Sequence, residues 1–303
     1  FFEIVSGFTT TGASILSTVE DLPRGILYWR SFTNWLGGMG VLVFFLALPA
    51  ILKRDEGTSM RLMEAESPGP QVGKLVPTLR KTARILYVIY SSLTLLLFIT
   101  LVMLKMPAFD ALLNSFAAAG TGGFAIKNSG IAAYTHSQQT AIACFLLLFG
   151  VNFNIYYFVL LFDIKKIIMN EELRLYILLI ICSTALITIN TGSLHNAFFT
   201  VSSILTSTGF SINDYNLWPS FSKLIVILLM VIGGCAGSTA GGIKVARVLL
   251  LLKQAKLGIK KQIAPRVVMP IKLDKERVSD ETIFTVNTFF TYYVLIFLFS
   301  VIL

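Results

Sequence analysis

Uncharged apolar runs recur along the whole 303-residue chain. Five of them are close to the ~20 residues that a helix needs to cross the hydrocarbon of a bilayer, at residues 31–52, 85–104, 141–162, 175–194 and 282–303. A sixth, residues 224–252, is interrupted by a glycine-rich segment. Because backbone groups in lipid must bond to one another, and no ten-residue alternation typical of a barrel is present, the runs predict an all-α integral membrane protein.

Most positive charges lie in three polar segments between these runs. Of the 25 lysines and arginines, 18 fall within residues 53–84, 163–174 and 253–281. Short basic loops of membrane proteins stay in the cytoplasm, so these segments are predicted to be cytoplasmic loops beside membrane lipid. The net charge of +9 comes without a basic stripe interleaved with aromatic residues. We therefore expect no nucleic acid among the partners.

Three apolar stretches on the predicted outer side are too short to span. Residues 109–119 would be about 16 Å long as a helix, roughly half of the hydrocarbon thickness, and residues 1–8 and 196–205 are shorter still. Each is predicted to enter from outside as a half-helix and to return as irregular chain. A membrane tolerates such backbone only where it is buried in protein or lines water.

One pattern follows each of these stretches: TTTGASI at 9–15, GTGGFAI at 120–126 and TSTGFSI at 206–212. A single Thr-Thr-Thr-Gly is usually a helix cap or a turn, but three aligned copies indicate a repeated unit of helix, half-helix, loop and helix. Around one axis, such loops could offer carbonyl and hydroxyl oxygens in place of the hydration shell of a cation. The predicted cation-filter residues are Thr9, Thr10, Thr11, Gly12, Gly120, Thr121, Gly122, Gly123, Thr206, Ser207, Thr208 and Gly209.

The glycine-rich interruption reads GGCAGSTAGGIK at 233–244. It lacks the adjacent Gly-Lys-Ser/Thr of a phosphate-binding loop and the G-x-G-x-x-G spacing of a dinucleotide site. Its small residues predict a break that lets a loop cross beneath the filter, and the alternative is a kink that serves helix packing. The predicted gate residues are Gly233, Gly234, Cys235, Ala236, Gly237, Ser238, Thr239, Ala240, Gly241 and Gly242.

Two cationic residues follow this segment. Lys244 and Arg247 are three apart and are predicted to share one face of the helix that leaves the loop. They would either face the inner vestibule of a pore or snorkel to the cytoplasmic interface, and we favour snorkelling.

Four stretches resemble the Trk/Ktr/HKT superfamily of cation transporters, and within it the bacterial TrkH/TrkG branch. They are SGFTTTGAS (6–14), WLGGMGVLVF (35–44), AFDALLNSFAAAGTGGF (108–124) and GGCAGSTAGGIKVARVLLLLKQ (233–254), and the resemblance covers nearly the whole chain. It implies K⁺-channel-like M1–pore helix–M2 repeats around one pore, with residues 233–242 as an intramembrane gate. It also implies a homodimer.

On this plan the chain divides into repeat 1 (1–52), repeat 2 (85–165), repeat 3 with a broken M2 (173–254) and the M1 of repeat 4 (282–303). The first M1 and the fourth half-helix, filter and M2 have no counterpart. A ring of four filters cannot close with three, so we expect further residues beyond those given.

The resemblance implies K⁺ uptake across the bacterial inner membrane, with K⁺ as the transported ion at the filter and no cofactor in this chain. It also implies cytosolic RCK/KTN regulatory subunits, which would bind ATP or NAD themselves. Alternatives are a Na⁺-coupled or Na⁺-permeable member of the superfamily, or a secondary transporter of another substrate on broken helices. An enzyme is not expected, because the apolar runs contain no nucleophile–base pair and no paired acids.

Overall fold

The computed structural model describes residues 1–40, 79–264 and 269–302, without side chains for residues 79–82. These residues are mostly helical, which confirms the prediction of an all-α chain with membrane-spanning helices. Residues 41–52 of the first predicted M2 and residues 53–78 of the first basic loop lie outside the described residues, so the predictions for them stay predictions.

In the described residues, twelve helices follow one another: α1 (Phe2–Phe8), α2 (Arg24–Gly38), α3 (Leu79–Met103), α4 (Ala108–Ala119), α5 (His136–Phe149), α6 (Phe153–Leu160), α7 (Ile164–Met169), α8 (Glu171–Thr191), α9 (Leu194–Leu205), α10 (Ser220–Ile232), α11 (Val245–Ile263) and α12 (Asp280–Ile302). Before α12, strands β1 (Lys272–Leu273) and β2 (Glu276–Arg277) form a small antiparallel hairpin.

Three of these helices are long and apolar enough to cross a membrane. They are α3, over Ala83–Met103, and the whole of α8 and α12. Helices α5 and α6 qualify only together, and they meet at 91°. The run at 141–162, expected as one M2 span, is therefore two helices. Asn152 lies at the break and caps α6 by accepting a hydrogen bond from the amide of Asn154 at 3.0 Å.

The three short apolar stretches form α1, α4 and α9, and each ends where its Gly/Thr loop begins. Pro107 precedes α4 with φ −53°, so the ring fixes the chain direction at the helix entrance. Helix α4 packs against α3 of its own repeat and α2 of the preceding one, and α9 packs in the same way against α8 and α5. This nesting places α4 and α9 among longer helices, whereas α1 packs against α2 and leaves Phe2, Ile4 and Val5 exposed in the described chain.

Two apolar clusters fill the space around the second and third half-helices. The first contains Tyr90, Leu97, Phe149 and Phe153, and the second contains Tyr176, Leu205 and Leu229 among other residues. Helix α12 by contrast exposes most of its large side chains in the described chain. A continuous exposed apolar surface of this kind is typical of a face that meets lipid or another membrane helix.

Adjacent leucines on α3 provide a test of this packing. Leu97 is fully buried, whereas Leu96 is 51% exposed. We expect Leu97→Ala to lower the free energy of unfolding by about 2–3 kcal/mol through the cavity that it leaves. Leu96→Ala, the matched control, should change it little. Thermal unfolding of both variants in detergent measures the difference, and equal effects would contradict the placement of α3.

Candidate functional site

The three Gly/Thr loops share one backbone conformation. Their second residues all have a left-handed φ near +53°, and their fourth residues, all glycine, have φ between +70° and +80°; the residues are Thr10, Thr121, Ser207, Gly12, Gly123 and Gly209. In each loop the amide of the second residue donates to the carbonyl three residues earlier, which belongs to the second-last residue of the half-helix, at 2.9–3.1 Å. The aligned sequence pattern therefore corresponds to one turn that is built three times.

The loops also touch one another in sequence order. A Cβ added to Gly12 would lie 1.7 Å from the carbonyl oxygen of Gly122, and one added to Gly123 would lie 2.0 Å from that of Thr208. Positive φ and close backbone approach together exclude any other residue at these two positions. The C-terminal ends of α1, α4 and α9 therefore meet in one place, where their helix dipoles carry partial negative charge.

Hydroxyl groups brace the first and third loops from within. The Oγ1 atoms of Thr9 and Thr11 are 2.8 Å apart, as are those of Thr206 and Thr208. Thr9 also donates to Val5 O at 2.8 Å, and Thr206 donates to the equivalent carbonyl of Ser202 at 2.7 Å. These hydroxyls therefore hold the shape of the first and third loops.

The second loop has glycine where the other two have these hydroxyl pairs. Asn34 of α2 explains the difference. Its side-chain Oδ1 would be 2.0 Å from a Cβ on Gly122, and its carbonyl oxygen would be 2.2 Å from a Cβ on Gly120. Asn34 is completely buried, and both polar atoms of its side chain lack a hydrogen-bond partner in the described part of the chain. It occupies the volume that the threonines fill elsewhere.

Serines on two half-helices hold the returning chain, and the sequence analysis missed them. Ser6 Oγ donates to Ala13 O, and Ser203 Oγ donates to Phe210 O, both at 2.6 Å. Each serine stands three residues before its loop, and Ala117 occupies this position in the second repeat. That shared position is the signal that could have identified them.

A buried ion pair supports the first loop. Glu3 of α1 accepts from Arg30 Nε at 2.8 Å, and from Ser14 Oγ and the amide of Ile15 at 2.9 Å each. The Arg30 guanidinium lies 4.3 Å from the ring centre of Phe124, which follows the second loop. Arg30 is thus a link between the first and second loops.

Residues 233–244 form an irregular loop between α10 and α11, which we call the crossing loop. All ten predicted gate residues lie in it. Its two ends touch, since a Cβ on Gly242 would lie 2.6 Å from Gly233 Cα. Its tip contacts two Gly/Thr loops: Thr121 Oγ1 donates to Thr239 O at 2.8 Å, and the Gly241 amide donates to Ser207 Oγ at 2.5 Å. The crossing loop therefore lies against the residues that directly follow α4 and α9.

The break between α5 and α6 holds the other side of the crossing loop. The Cys235 amide donates to Gly150 O at 2.9 Å, and Gly237 O accepts from the Phe153 amide at 3.0 Å. Because α5 ends at Phe149, its last carbonyls are free to accept such bonds. The backbone groups left unpaired at the α5–α6 break, which the sequence did not predict, thus form hydrogen bonds with those of the crossing loop.

Lys244 corrects one expectation. It precedes α11 with φ +81°, is only 6% exposed, and donates from Nζ to Ala240 O inside the crossing loop. Lys244 does not share a helix face with Arg247, and snorkelling is wrong for it, because its ammonium bonds back into the loop. Arg247 is half-buried, and its guanidinium lies 4.0 Å from the ring centre of Phe289 on α12.

The comparisons with known proteins agree with one another. The TrkH family, described as cation transport protein, matches residues 1–190 and 172–303. The Trk system potassium uptake protein TrkH of Escherichia coli K12 is 37% identical over 318 aligned positions, and TrkG of the same strain is 35% identical. Both alignments include 99% of this chain. The chain spans 64% of the length of these relatives.

A solved structure has the same fold. The crystal structure of the potassium transporter TrkH from Vibrio parahaemolyticus superposes with a TM-score of 0.81 at 30% sequence identity. The match covers 98% of this chain and 63% of that one. The described chain therefore shares its overall architecture.

A double-mutant cycle tests the packing behind the second loop. Gly122→Ala should destabilise the protein, because its Cβ would collide with the Asn34 side chain. Asn34→Ala removes that side chain, so we expect the pair to be coupled by about 1 kcal/mol or more in thermal unfolding. Gly123→Ala is the control and should not be rescued, because its collision is with the backbone of Thr208. Additive effects for the Gly122 pair would contradict this packing.

Proposed function

The chain belongs to the TrkH family of cation transport proteins, and on that premise we propose that it takes up K⁺ through a pore lined by its three Gly/Thr loops. One observation carries the proposal: three turns of identical backbone conformation meet at the C-terminal ends of three half-helices. Carbonyl oxygens in such a place can substitute for the water that a K⁺ ion loses on entering.

The charge of the surroundings favours a cation. The half-helices direct their partial negative ends toward the loops. Within the three loops, residues 9–12, 120–123 and 206–209, no side chain carries a charge. Transport by partial dehydration requires binding that is weak enough for the ion to leave, and neutral carbonyls meet that requirement better than carboxylates would.

In this proposal the crossing loop is the gate. It contacts Thr121 and Ser207 on the side of the half-helix ends, which is the inner end of the filter if the half-helices enter from outside. A loop in this position obstructs the exit toward the cytoplasm. Its hydrogen bonds to the α5–α6 break hold it there, and their release would open the path.

The wider assembly is part of the same proposal. The names of these relatives describe potassium uptake by the Trk system. We infer a homodimer in the bacterial inner membrane, with RCK/KTN subunits that bind the cytoplasmic loops and regulate the gate. The basic segment 253–281 offers a cytoplasmic surface for this contact. A Na⁺-permeable transporter of the same family is the alternative, since a few oxygens decide the choice between the two ions.

Ion flux into proteoliposomes tests the proposal. The natural full-length protein should conduct K⁺ and Rb⁺ in preference to Na⁺ and to a small organic cation. Gly123→Ser should lose the K⁺ preference, because serine cannot hold φ +74° beside the Thr208 carbonyl without moving both loops.

Gly192→Ser is the matched control. Gly192 has the same φ of +74°, at the end of α8, but a Cβ there would meet nothing within 4 Å among the described residues. It should keep the selectivity of the parent protein. If Gly123→Ser also kept that selectivity, the filter assignment would be wrong, and equal Na⁺ and K⁺ flux in the parent would favour the Na⁺-permeable alternative.

A further inference from the structure

A buried carboxylate lies beneath the crossing loop. Glu172, the second residue of α8, is 1% exposed. Its Oε1 accepts from the amides of Ala236 at 2.6 Å and Ala246 at 3.2 Å, and its Oε2 accepts from Asn152 Nδ2 at 3.5 Å. A single side chain thus joins the crossing loop, the first turn of α11 and the α5–α6 break.

Moving the crossing loop away from this carboxylate would cost free energy, because the carboxylate is buried. Lys244 is also buried, and its ammonium donates to Ala240 O in the same crossing loop. A buried carboxylate is tolerated only while it is paired and fully hydrogen-bonded. If the crossing loop moved away, Glu172 would lose the bond from Ala236, the shortest of its three. The carboxylate therefore opposes displacement of the loop.

The end of α8 that carries Glu172 is itself fixed. Asn170 caps the helix by accepting from the Leu173 amide at 2.8 Å. Asp274, in the turn of the β1–β2 hairpin, accepts from the Glu171 amide at 2.7 Å and from Asn170 Nδ2 at 2.8 Å. The hairpin belongs to the predicted cytoplasmic segment 253–281, so the support of Glu172 extends to the cytoplasmic surface.

We propose that Glu172 is a positioning residue of the gate: its carboxylate holds the crossing loop against the filter loops, and opening requires the Ala236 amide to leave it. The inference rests on the proposed transport function and assigns a role to a residue outside the filter and the loop. Of the predicted cytoplasmic surface, the β1–β2 hairpin would then affect the hold of Glu172 on the crossing loop most directly, because Asp274 bonds to the helix end that carries Glu172.

A native cysteine reports the position of the loop. Cys235 is next to Ala236 and completely buried, whereas Cys144 and Cys182 are exposed. In the natural full-length protein with every cysteine except Cys235 replaced by serine, Cys144 and Cys182 included, and reconstituted without regulatory subunits, we expect Glu172→Gln to accelerate maleimide labelling of Cys235 about tenfold. Glutamine can still accept from the Ala236 amide, but without the negative charge the bond is weaker by about 1 kcal/mol or a little more, which corresponds to roughly that factor. Rb⁺ flux per protein should rise in parallel.

Two further variants separate positioning from folding. Glu172→Asp keeps the charge and should restore slow labelling, at least in part. Glu171→Gln is the matched control, because the Glu171 side chain pairs with Lys253 and not with the crossing loop. It should label at the rate of the parent protein.

The outcomes are distinct. Unchanged labelling in Glu172→Gln, or equal acceleration in Glu171→Gln, would overturn the inference. If the parent conducts no Rb⁺, the transport proposal fails, while the labelling contrast still decides the role of Glu172. If Glu172→Gln does not fold, Asp274→Ala is the substitute, because Asp274 bonds to the same end of α8. Asp274→Ala should accelerate labelling of Cys235 about threefold. Unchanged labelling in Asp274→Ala would contradict the positioning role of Glu172.

Discussion

A peptide group inside hydrocarbon must find a hydrogen-bond partner, and this requirement organises the whole chain. Straight helices meet it alone, but three half-helices stop midway and leave their last carbonyls and the following loops to be satisfied. In this chain the first loop packs against the second and the second against the third, and hydroxyl pairs such as Thr206–Thr208 hold the first and third loops in shape. Irregular backbone is thus concentrated in one protected place, which is also where an ion could replace water.

The same requirement links the Gly/Thr loops, the proposed filter, to the crossing loop, the proposed gate. Two M2 segments break, at Gly150 and at Gly233, and the unpaired groups at one break bond to those at the other. Besides the bonds of Ile243 and Lys244 to α10 and the Lys244 bond within the loop, the crossing loop is held by the α5–α6 break, by Thr121 and Ser207, and by the carboxylate of Glu172. Such hydrogen bonds can be exchanged for others, so a loop held by them can be stable and still be released, as the proposed gate requires.

Much of the architecture could be predicted from the sequence because hydropathy and a repeated motif report directly on membrane helices and their interruptions. The half-helix lengths and the alignment on Gly12, Gly123 and Gly209 are local signals. The contacts of Asn34, Glu172 and Lys244 are not local, since each depends on which helix lies beside which. The bend at Gly150 was missed for the same reason: its unpaired groups are satisfied by a loop more than eighty residues away.

The central claim is that carbonyl oxygens of the three loops bind a dehydrated monovalent cation at their meeting point. An experimental structure of the natural full-length protein in RbCl, recorded with the anomalous signal of rubidium, tests it most directly. The account predicts rubidium density between the loops, about 3 Å from carbonyl oxygens of residues 9–12, 120–123 and 206–209. Rubidium bound elsewhere along the pore, with none at these loops, would contradict it.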